Sequence, residues 1–354
     1  MTTEIEVDVE AAMPKPRARF WDCIRVVSAA MGGMLRAFFR RLIGRRMHPN
    51  WPLKLEAVVS ATRGSWSVMP AIGMVRWRNV GEAMSPLRTD DLPPRFVRVD
   101  SGGEEPLFAA WLEPPDAGES VLLYFRGGGF VFGSLRTHGE LIGALARAAR
   151  ARTLALEYRL APEHPCPASL NDAVTAYRYL LAQGIKPEAI ALAGDSAGGT
   201  LVLQTLLALR DEKLPLPGAA VAISPWVDLS CSGKSFEENE RYDFVGKEHC
   251  LLAAQNYLAK KNAADVSPLF ASFEGMPPLL VQAGALETLV DQIRAFAKRA
   301  EETGATLTYS EYADMVHVWH LLRKMTPEGG KAIAEAGAFI QKHAKSTMPK
   351  TEAA

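Results

Sequence analysis

The chain has 354 residues, of which 48% are hydrophobic and 23% are charged. This composition is typical of a soluble globular protein, and it excludes collagen-like, wholly disordered and polytopic membrane proteins. The 40 basic side chains are balanced by 40 acidic ones, and the lack of a basic excess argues against nucleic acid as a partner.

The four cysteines and the first residues of the chain bear on its compartment. No CxxC pair is present to bind zinc or carry redox chemistry, and so few scattered cysteines predict no disulfide framework. The opening MTTEIEVDVE is acidic where a secretory signal would be basic. The apolar run over residues 26–35 is too short to span a bilayer. We therefore expect a cytoplasmic protein with no anchor at this end.

Residues 1–92 precede the regular part of the sequence. Residues 1–16 end in MPKP and are predicted to be a solvated, disordered arm. Residues 51–90 contain three tryptophans among several breakers of secondary structure, so we expect packed but irregular cover there.

Residues 20–43 mix apolar side chains with several arginines. Such a basic amphipathic helix can lie on an anionic membrane surface. It can equally be a helix laid over a pocket, with its arginines in water. Asp22 and the Gly32-Gly33 pair weaken the membrane interpretation, so the second one is favoured.

From about residue 96 the sequence alternates between strand and helix patterns. Short β-type runs come first, and buried strands such as TLALEY, AIALAGD and LLVQAG then alternate with helices. The helices are predicted over residues 169–181, 197–210, 289–302 and 327–342. This alternation predicts an α/β fold with a mainly parallel central sheet flanked by helices. A polar interruption at roughly 225–277 contains one further helix, predicted over 247–258.

The segment Gly194-Asp195-Ser196-Ala197-Gly198 follows a strand and opens a helix. In such an elbow the serine occupies a strained turn, and only glycine tolerates the crowding two residues to either side. The hydroxyl is then exposed above the sheet, where the first N–H groups of the helix point at developing negative charge. The segment predicts that Ser196 is a nucleophile; the alternative is a glycine-rich turn with a capping serine.

A glycine loop, Arg126-Gly127-Gly128-Gly129-Phe130, follows the strand VLLYF. Consecutive glycines leave backbone N–H groups bare and let a substrate come close, as an oxyanion hole requires. A dinucleotide-binding loop would need glycine at position 132, where phenylalanine stands, and no lysine follows to form a phosphate loop. The loop is therefore predicted to bind an oxyanion.

A nucleophilic serine needs a base and an acid, which follow it along the chain in this fold. His317 comes first after the strand TLTYSEY and is the predicted base, with His320 as its rival. Glu287 stands in the loop after LLVQAG and is the predicted acid, with Asp291 as the alternative. Both loops follow the carboxyl ends of strands, at the sheet edge where Ser196 is expected.

Metal-activated water is the competing chemistry, and the sequence offers little for it. It contains no HExxH segment. His138 and Glu140 form the H-x-E of a zinc deaminase, but no P-C-x-x-C follows. We expect no metal and no other cofactor. His138 follows the glycine loop and is instead a candidate to line a pocket.

Five segments follow one another in the order known from one family. They are RGGGFVFGS, EYRLAPEHPCPA, GDSAGG, PPLLVQAG with ETLVD, and DMVHVWH, and the similarity spans roughly residues 96–342. Together they resemble the hormone-sensitive-lipase branch of the α/β-hydrolases, the bacterial family IV esterases with a GDSAG elbow. The resemblance implies a serine carboxylesterase with Ser196 as nucleophile, His317 as base, and Glu287 where aspartate is usual.

The resemblance also implies the rest of the site. The oxyanion donors would be the amides of Gly128, Gly129 and Ala197, with Gly127 supporting the loop. The substrate would be a small-molecule ester with a small or medium acyl group.

The resemblance divides the chain into parts. Residues 17–92 and an insertion at about 226–276 would form a helical cap over an α/β-hydrolase catalytic domain of residues 93–346. Residues 347–354 would be a tail. The number of subunits stays open, and a homodimer is among the alternatives.

Arg126 departs from the family, whose signature has histidine before the three glycines. That histidine supports the loop in the family and is not the general base, so we expect catalysis to survive. Arginine is larger and permanently charged, so we expect either a shifted loop or a pocket that accepts an anionic group. Asp195 and Phe130 are further candidates for loop support or pocket lining.

Two other functions are compatible with the same motifs. The family includes plant gibberellin receptors, non-catalytic proteins that have lost the triad histidine. The presence of His317 argues against a receptor, whereas Arg126 leaves that alternative open. An amidase or acyltransferase could use the same triad, because pocket shape selects the leaving group and the acceptor.

Overall fold

The computed structural model describes residues 5–13, 15–99 and 106–345. The strands within these ranges are β1 (Ile5–Glu6), β2 (Arg95–Val99), β3 (Leu107–Leu112), β4 (Val121–Phe125), β5 (Arg152–Glu157), β6 (Ile190–Asp195), β7 (Ala219–Ile223), β8 (Leu279–Gly284) and β9 (Leu307–Tyr312). They form one sheet in the order β1-β2-β3-β5-β4-β6-β7-β8-β9.

The centre of this sheet is parallel and buried. All residues of β4, β6, β7 and β8 are buried. Strands β4 to β9 pair in parallel with one another, whereas β1, β2 and β3 add an antiparallel edge. Continuous apolar strands are what a sheet with both faces covered requires. The predicted α/β fold with a mainly parallel sheet is therefore confirmed.

The helices fall into three groups. They are α1 (Val9–Ala12), α2 (Phe20–Leu42), α3 (Leu53–Trp66), α4 (Met69–Ile72), α5 (Met74–Met84), α6 (Leu135–Ala149), α7 (Ala168–Ala182), α8 (Ala197–Asp211), α9 (Ser235–Glu238), α10 (Lys247–Leu258), α11 (Ala263–Val266), α12 (Val290–Glu302) and α13 (Pro327–His343). Helices α6 and α13 cover one face of the sheet, and α7, α8 and α12 cover the other. The remaining helices belong to the N-terminal region and to the interruption before β8.

The N-terminal helices α2 and α3 pack against each other at very close range. A Cβ added to Gly33 of α2 would lie 2.0 Å from the backbone oxygen of Ser60, and one added to Gly64 of α3 would lie 2.2 Å from that of Ala29. Only glycine lets the two backbones approach this closely. The prediction of irregular cover over residues 51–90 is wrong, because this segment contains the helices α3, α4 and α5.

The prediction of a disordered arm over residues 1–16 is wrong for residues 5–13. Strand β1 extends the sheet by antiparallel pairing with β2, and the backbone N–H of Val7 donates to the oxygen of Phe96. Ala12 and Met13 are buried in the same apolar cluster as Leu92 and Phe96. The acidic side chains stay in water while the backbone completes the sheet edge. The tail at 347–354 lies outside the described residues.

None of the helices in the described ranges combines the length and the apolar character that crossing a bilayer requires.

Candidate active site

Ser196 occupies the turn between β6 and α8 in a strained backbone conformation. Its φ of 53° and ψ of −121° lie where residues with a side chain are rarely found. A Cβ on Gly194 would lie 2.4 Å from the backbone oxygen of Gly198, and one on Gly198 would lie 1.9 Å from that of Phe125. Packing therefore requires glycine two residues to either side of the serine, and the turn has the geometry predicted for the elbow.

His317 lies between Ser196 and Glu287. Its Nε2 is 2.9 Å from Oγ of Ser196, and its Nδ1 is 2.7 Å from Oε2 of Glu287. Glu287 is completely buried and His317 is 3% exposed. The three residues come from the turns after β6, β8 and β9, so the sheet brings together at its carboxyl edge the residues that the sequence predicted.

Glu287 controls the electrostatics of the imidazole. Burial alone would lower the pKa of His317, but the hydrogen bond and the negative charge of Glu287 outweigh it, so the pKa is raised above its usual value. Oε1 of Glu287 accepts a hydrogen bond from the backbone N–H of Gly284 at 2.8 Å. Both carboxylate oxygens are thus engaged, and the hydrogen on Nδ1 faces Glu287 while Nε2 is left to accept a proton from Ser196.

The two rivals of these residues lie elsewhere. Asp291 is in the first turn of α12, where Oδ2 accepts a hydrogen bond from the backbone N–H of Ser235 at 2.9 Å. Nε2 of His320 is 2.9 Å from Oε1 of Gln282. Complete burial lowers the pKa of His320 to about 3, so this imidazole is neutral at ordinary pH. Neither side chain takes part in the hydrogen-bonded chain through Ser196.

Asp243 is a buried residue of the site that the sequence did not reveal. Its Oδ1 accepts hydrogen bonds from the backbone N–H groups of Phe244, at 2.8 Å, and His317, at 3.2 Å. Its Oδ2 accepts from the backbone N–H of Thr288 at 2.8 Å. One carboxylate thereby joins the loop carrying the base to the loop carrying Glu287. No local pattern marks it, because its partners lie 45 and 74 residues away.

The conformation of the glycine loop depends on the backbone angles of its glycines and on hydrogen bonds to Asp195, the residue before Ser196. Gly128 and Gly129 have φ angles of 113° and 61°, which favour glycine. The carboxylate of Asp195 accepts hydrogen bonds from the backbone N–H of Gly127 at 3.0 Å and from the hydroxyl of Tyr124 at 2.6 Å. Asp195 therefore binds the backbone of the loop at Gly127, and Gly128 and Gly129 line the same cavity as Ser196.

Arg126 points away from the cavity. It is 3% exposed, its Nη2 donates to the backbone oxygen of Tyr158 at 3.1 Å, and its Nε is 3.6 Å from Oε2 of Glu157. Its guanidinium carbon lies 4.1 Å from the centroid of the Tyr158 ring. Arg126 is not among the residues that line the cavity, so its guanidinium is not placed to accept an anionic group there, which was one of the two expectations. Phe130 is also loop support, since its buried ring stacks on that of Tyr257 at 3.8 Å.

A cavity of about 400 Å³ opens at Ser196 and His317. The N-terminal helices α3 and α5 and the interruption before β8 supply much of its wall. Apolar side chains dominate it, among them Val59, Trp66, Trp77, Phe244 and Ala253. His138 lines it too, as the sequence suggested. Among the described residues, no group of three or more His, Cys, Asp or Glu side chains is placed to hold a metal ion.

The chain is similar in sequence to known proteins of one fold family. Residues 122–321 match the model of a family described as having the alpha/beta hydrolase fold. An acetyl-hydrolase of Streptomyces hygroscopicus is 44% identical over 236 residues, which cover 66% of this chain and 79% of the relative.

Solved structures give the same result. The crystal structure of EstE5 soaked by ethyl alcohol superposes with a TM-score of 0.72 at 39% identity, covering 76% of this chain and 90% of that one. An esterase from the bacterial hormone-sensitive lipase family has a TM-score of 0.69 at 38% identity, covering 93% and 100%. The chain therefore belongs to the hormone-sensitive-lipase branch of the α/β-hydrolases, and it is a serine carboxylic-ester hydrolase.

Proposed function

We propose that the enzyme cleaves small-molecule esters by acyl transfer through Ser196, His317 and Glu287. The observation that carries this proposal is the continuous hydrogen-bonded chain from the serine hydroxyl through the imidazole to a buried carboxylate, with distances of 2.9 and 2.7 Å. A nucleophile, a base within hydrogen-bonding reach and a group that orients the base are the three parts that such catalysis needs.

In the first half of the reaction, Nε2 of His317 takes the hydroxyl proton while Oγ of Ser196 bonds to the ester carbon. The carbonyl oxygen becomes an oxyanion, which the N–H groups of Gly128, Gly129 and Ala197 would bind. The imidazolium then gives its proton to the alcohol oxygen as that C–O bond breaks. In the second half, Nε2 of His317 takes a proton from water while the water oxygen bonds to the acyl carbon. The imidazolium then gives that proton to Oγ of Ser196 as the acyl–Oγ bond breaks, and the acid is released.

The acyl group is proposed to be small or medium in length. The cavity volume of about 400 Å³ is near the lower end of the range for small-molecule sites. Its wall includes a rigid aromatic cluster, in which Trp66 and Trp77, and Trp77 and Phe132, have ring centroids 4.9 Å apart. The relative named acetyl-hydrolase supports the same preference.

The direct test replaces Ser196 by alanine in the full chain. Turnover of a short p-nitrophenyl ester should fall by at least about 10⁴-fold, with circular dichroism and thermal unfolding unchanged. Ser272→Ala, at an exposed serine, is the matched control and should keep full activity. If Ser196→Ala retained most of the turnover, the proposed nucleophile would be wrong.

The same assay separates the alternatives in function. A receptor would show no turnover and gain no adduct from a serine-reactive phosphonate. The esterase should hydrolyse the ester and should gain the adduct. An amidase would hydrolyse a matched p-nitroanilide faster than the p-nitrophenyl ester, and an acyltransferase would prefer an added alcohol to water. We expect the ester and water to be preferred.

We further propose a cytoplasmic location. All four cysteines are free thiols, and two of them, Cys231 and Cys250, are buried. Free thiols persist in a reducing compartment. Secretion of the protein by its own host would contradict this location without affecting the proposed chemistry.

A further inference from the structure

Helix α2 has two opposite faces, and only one of them is packed against the protein. Asp22, Val26, Gly33 and Ala37 are buried, a spacing that places them on one side of the helix. The other side carries ten large apolar residues that are 38–70% exposed, and we call them the outer stripe. They are Phe20, Trp21, Ile24, Met31, Met34, Leu35, Phe38, Phe39, Leu42 and, one residue past the helix, Ile43.

The features that argued against a membrane helix are explained by the packed side. Asp22 receives two hydrogen bonds from Arg76, at 2.6 and 2.9 Å, so its charge is buried and paired. Gly33 is needed for the close approach to Ser60 on α3. No residue of α2 lines the cavity. The helix therefore does not line the pocket itself, and its outer side has no occupant within the described residues.

The outer stripe is accompanied by an excess of positive charge. Asp22 is the only acidic residue in 17–46, a segment with eight arginines, and it is buried. Six of these arginines are exposed and have no carboxylate partner among the described residues: Arg17, Arg19, Arg25, Arg36, Arg45 and Arg46. In a chain without net charge, this concentration is a local feature that fits a negatively charged partner.

We propose that the outer stripe of α2 docks on an anionic phospholipid surface, with the helix lying in the plane of the interface. The stripe runs about 33 Å along the helix, and it combines a long apolar face with flanking arginines, as helices that bind at membrane interfaces do. The apolar side chains enter the acyl boundary, and the arginines meet lipid phosphates.

Other occupants of the stripe fit less well. A second copy of the chain, related by a two-fold axis, would bring two arginine-rich helices together with no exposed carboxylate from 17–46 to neutralise them. The residues outside the described ranges include only two large apolar side chains, Met1 and Met348. They are too few to cover ten.

Docking in this orientation would bring the active site close to the lipid. Helix α3 lies between α2 and the cavity: it contacts α2 through Ser60 and Gly64, and it lines the cavity with Val58, Val59 and Trp66. One layer of helix, roughly 10 Å, therefore separates the docking face from the cavity wall. Esters that partition into a bilayer would be concentrated beside the enzyme.

The test measures sedimentation of the full chain with vesicles of phosphatidylcholine alone or with phosphatidylglycerol added. Binding should require phosphatidylglycerol and should weaken as salt is raised. The triple variant Arg25→Gln, Arg36→Gln and Arg45→Gln should bind about a hundredfold more weakly. A matched triple of exposed lysines, Lys260→Gln, Lys261→Gln and Lys331→Gln, should bind like the parent chain.

A second pair of variants tests the apolar side chains. Phe38→Ser with Phe39→Ser should abolish sedimentation, whereas Leu251→Ser with Phe270→Ser, at exposed residues outside α2, should not. Hydrolysis of a soluble ester should be unchanged in all of them, which shows that they fold. If the double variant of α2 loses ester hydrolysis, the single variant Phe39→Ser is used in its place, and its sedimentation with vesicles should be weakened.

Three results would overturn the proposal. The first is no binding to phosphatidylglycerol vesicles at low salt, and the second is equal binding by the α2 variants and the parent chain. The third is a dimer by light scattering that the Phe38→Ser, Phe39→Ser variant dissociates, which would assign the face to a second copy. Loss of esterase activity on Ser196→Ala would leave vesicle binding intact, so this proposal and the proposed catalytic mechanism are tested separately.

Discussion

Replacing Glu287 by glutamine tests how the carboxylate controls the imidazole. Oε1 of Glu287 accepts a hydrogen bond from the backbone N–H of Gly284 at 2.8 Å, and Oε2 is 2.7 Å from Nδ1 of His317. Glutamine has one oxygen and one NH₂ group. Because the backbone N–H can only donate, the oxygen must stay with Gly284, and the NH₂ group then faces Nδ1.

An NH₂ group facing Nδ1 selects the wrong tautomer of His317. Nδ1 must then accept, so the hydrogen moves to Nε2, which can no longer take the proton of Ser196. The reversed amide would set two donors against each other in a fully buried place, which costs roughly 1–3 kcal/mol. In a protease triad a change of this kind lowers kcat by about 10⁴-fold, equivalent to about 5.5 kcal/mol of transition-state stabilisation.

The assay is steady-state hydrolysis of a short p-nitrophenyl ester at neutral pH. Glu287→Gln should lower kcat by about 10³–10⁴-fold with little change in KM. Asp291→Asn is the matched control and should keep most of the activity, because Asp291 bonds to Ser235 and not to His317. Near-normal kcat in Glu287→Gln would refute the reasoning, and a larger loss in Asp291→Asn would exchange the two roles.

Three further predictions follow from the geometry. The value of kcat/KM should fall as pH falls through the raised pKa of His317, because the imidazole must be neutral to act as base. The acid inflection of this pH profile should lie above pH 6.5. An inflection below pH 6.5 would contradict the ion pair between His317 and Glu287. Asp243→Asn should lower the free energy of unfolding, measured by chemical denaturation, by roughly 1–3 kcal/mol, because an NH₂ group would meet backbone donors. The exposed control Asp265→Asn should leave the free energy of unfolding unchanged. Gly198→Ala should destabilise the fold by roughly 1–3 kcal/mol, since its Cβ would meet backbone oxygen at 1.9 Å. Gly330→Ala, in open space within α13, should raise stability by about 0.5–1 kcal/mol. Equal thermal unfolding of the two variants would contradict the packing.

The sequence predicted those parts of the site that depend on local backbone geometry. The elbow at Ser196 needs positive φ and small neighbours, and these demands leave glycines at fixed spacing. The positions of His317 and Glu287 follow from the ends of recognisable strands, because parallel strands bring their carboxyl ends to one edge.

Features that depend on distant contacts were not predictable in this way. Asp243 lies in a polar stretch and gains its role only when the loops of Thr288 and His317 come to it. The direction of the Arg126 side chain depends on Tyr158, 32 residues further on. The sequence of α2 is compatible with a helix over a pocket and with one facing lipid, and the contact with α3 decides which side is free.

The central claim is tested most directly by locating the covalent bond that a serine-reactive phosphonate forms. Peptide mass spectrometry of the treated full chain should find one adduct, on the peptide containing Ser196, formed far more slowly in a His317→Ala variant. A crystal structure of the adduct should place the phosphonyl oxygen within hydrogen-bonding distance of the amides of Gly128, Gly129 and Ala197. An adduct on another residue would contradict the account. So would a treated enzyme that keeps full esterase activity with Ser196 unmodified.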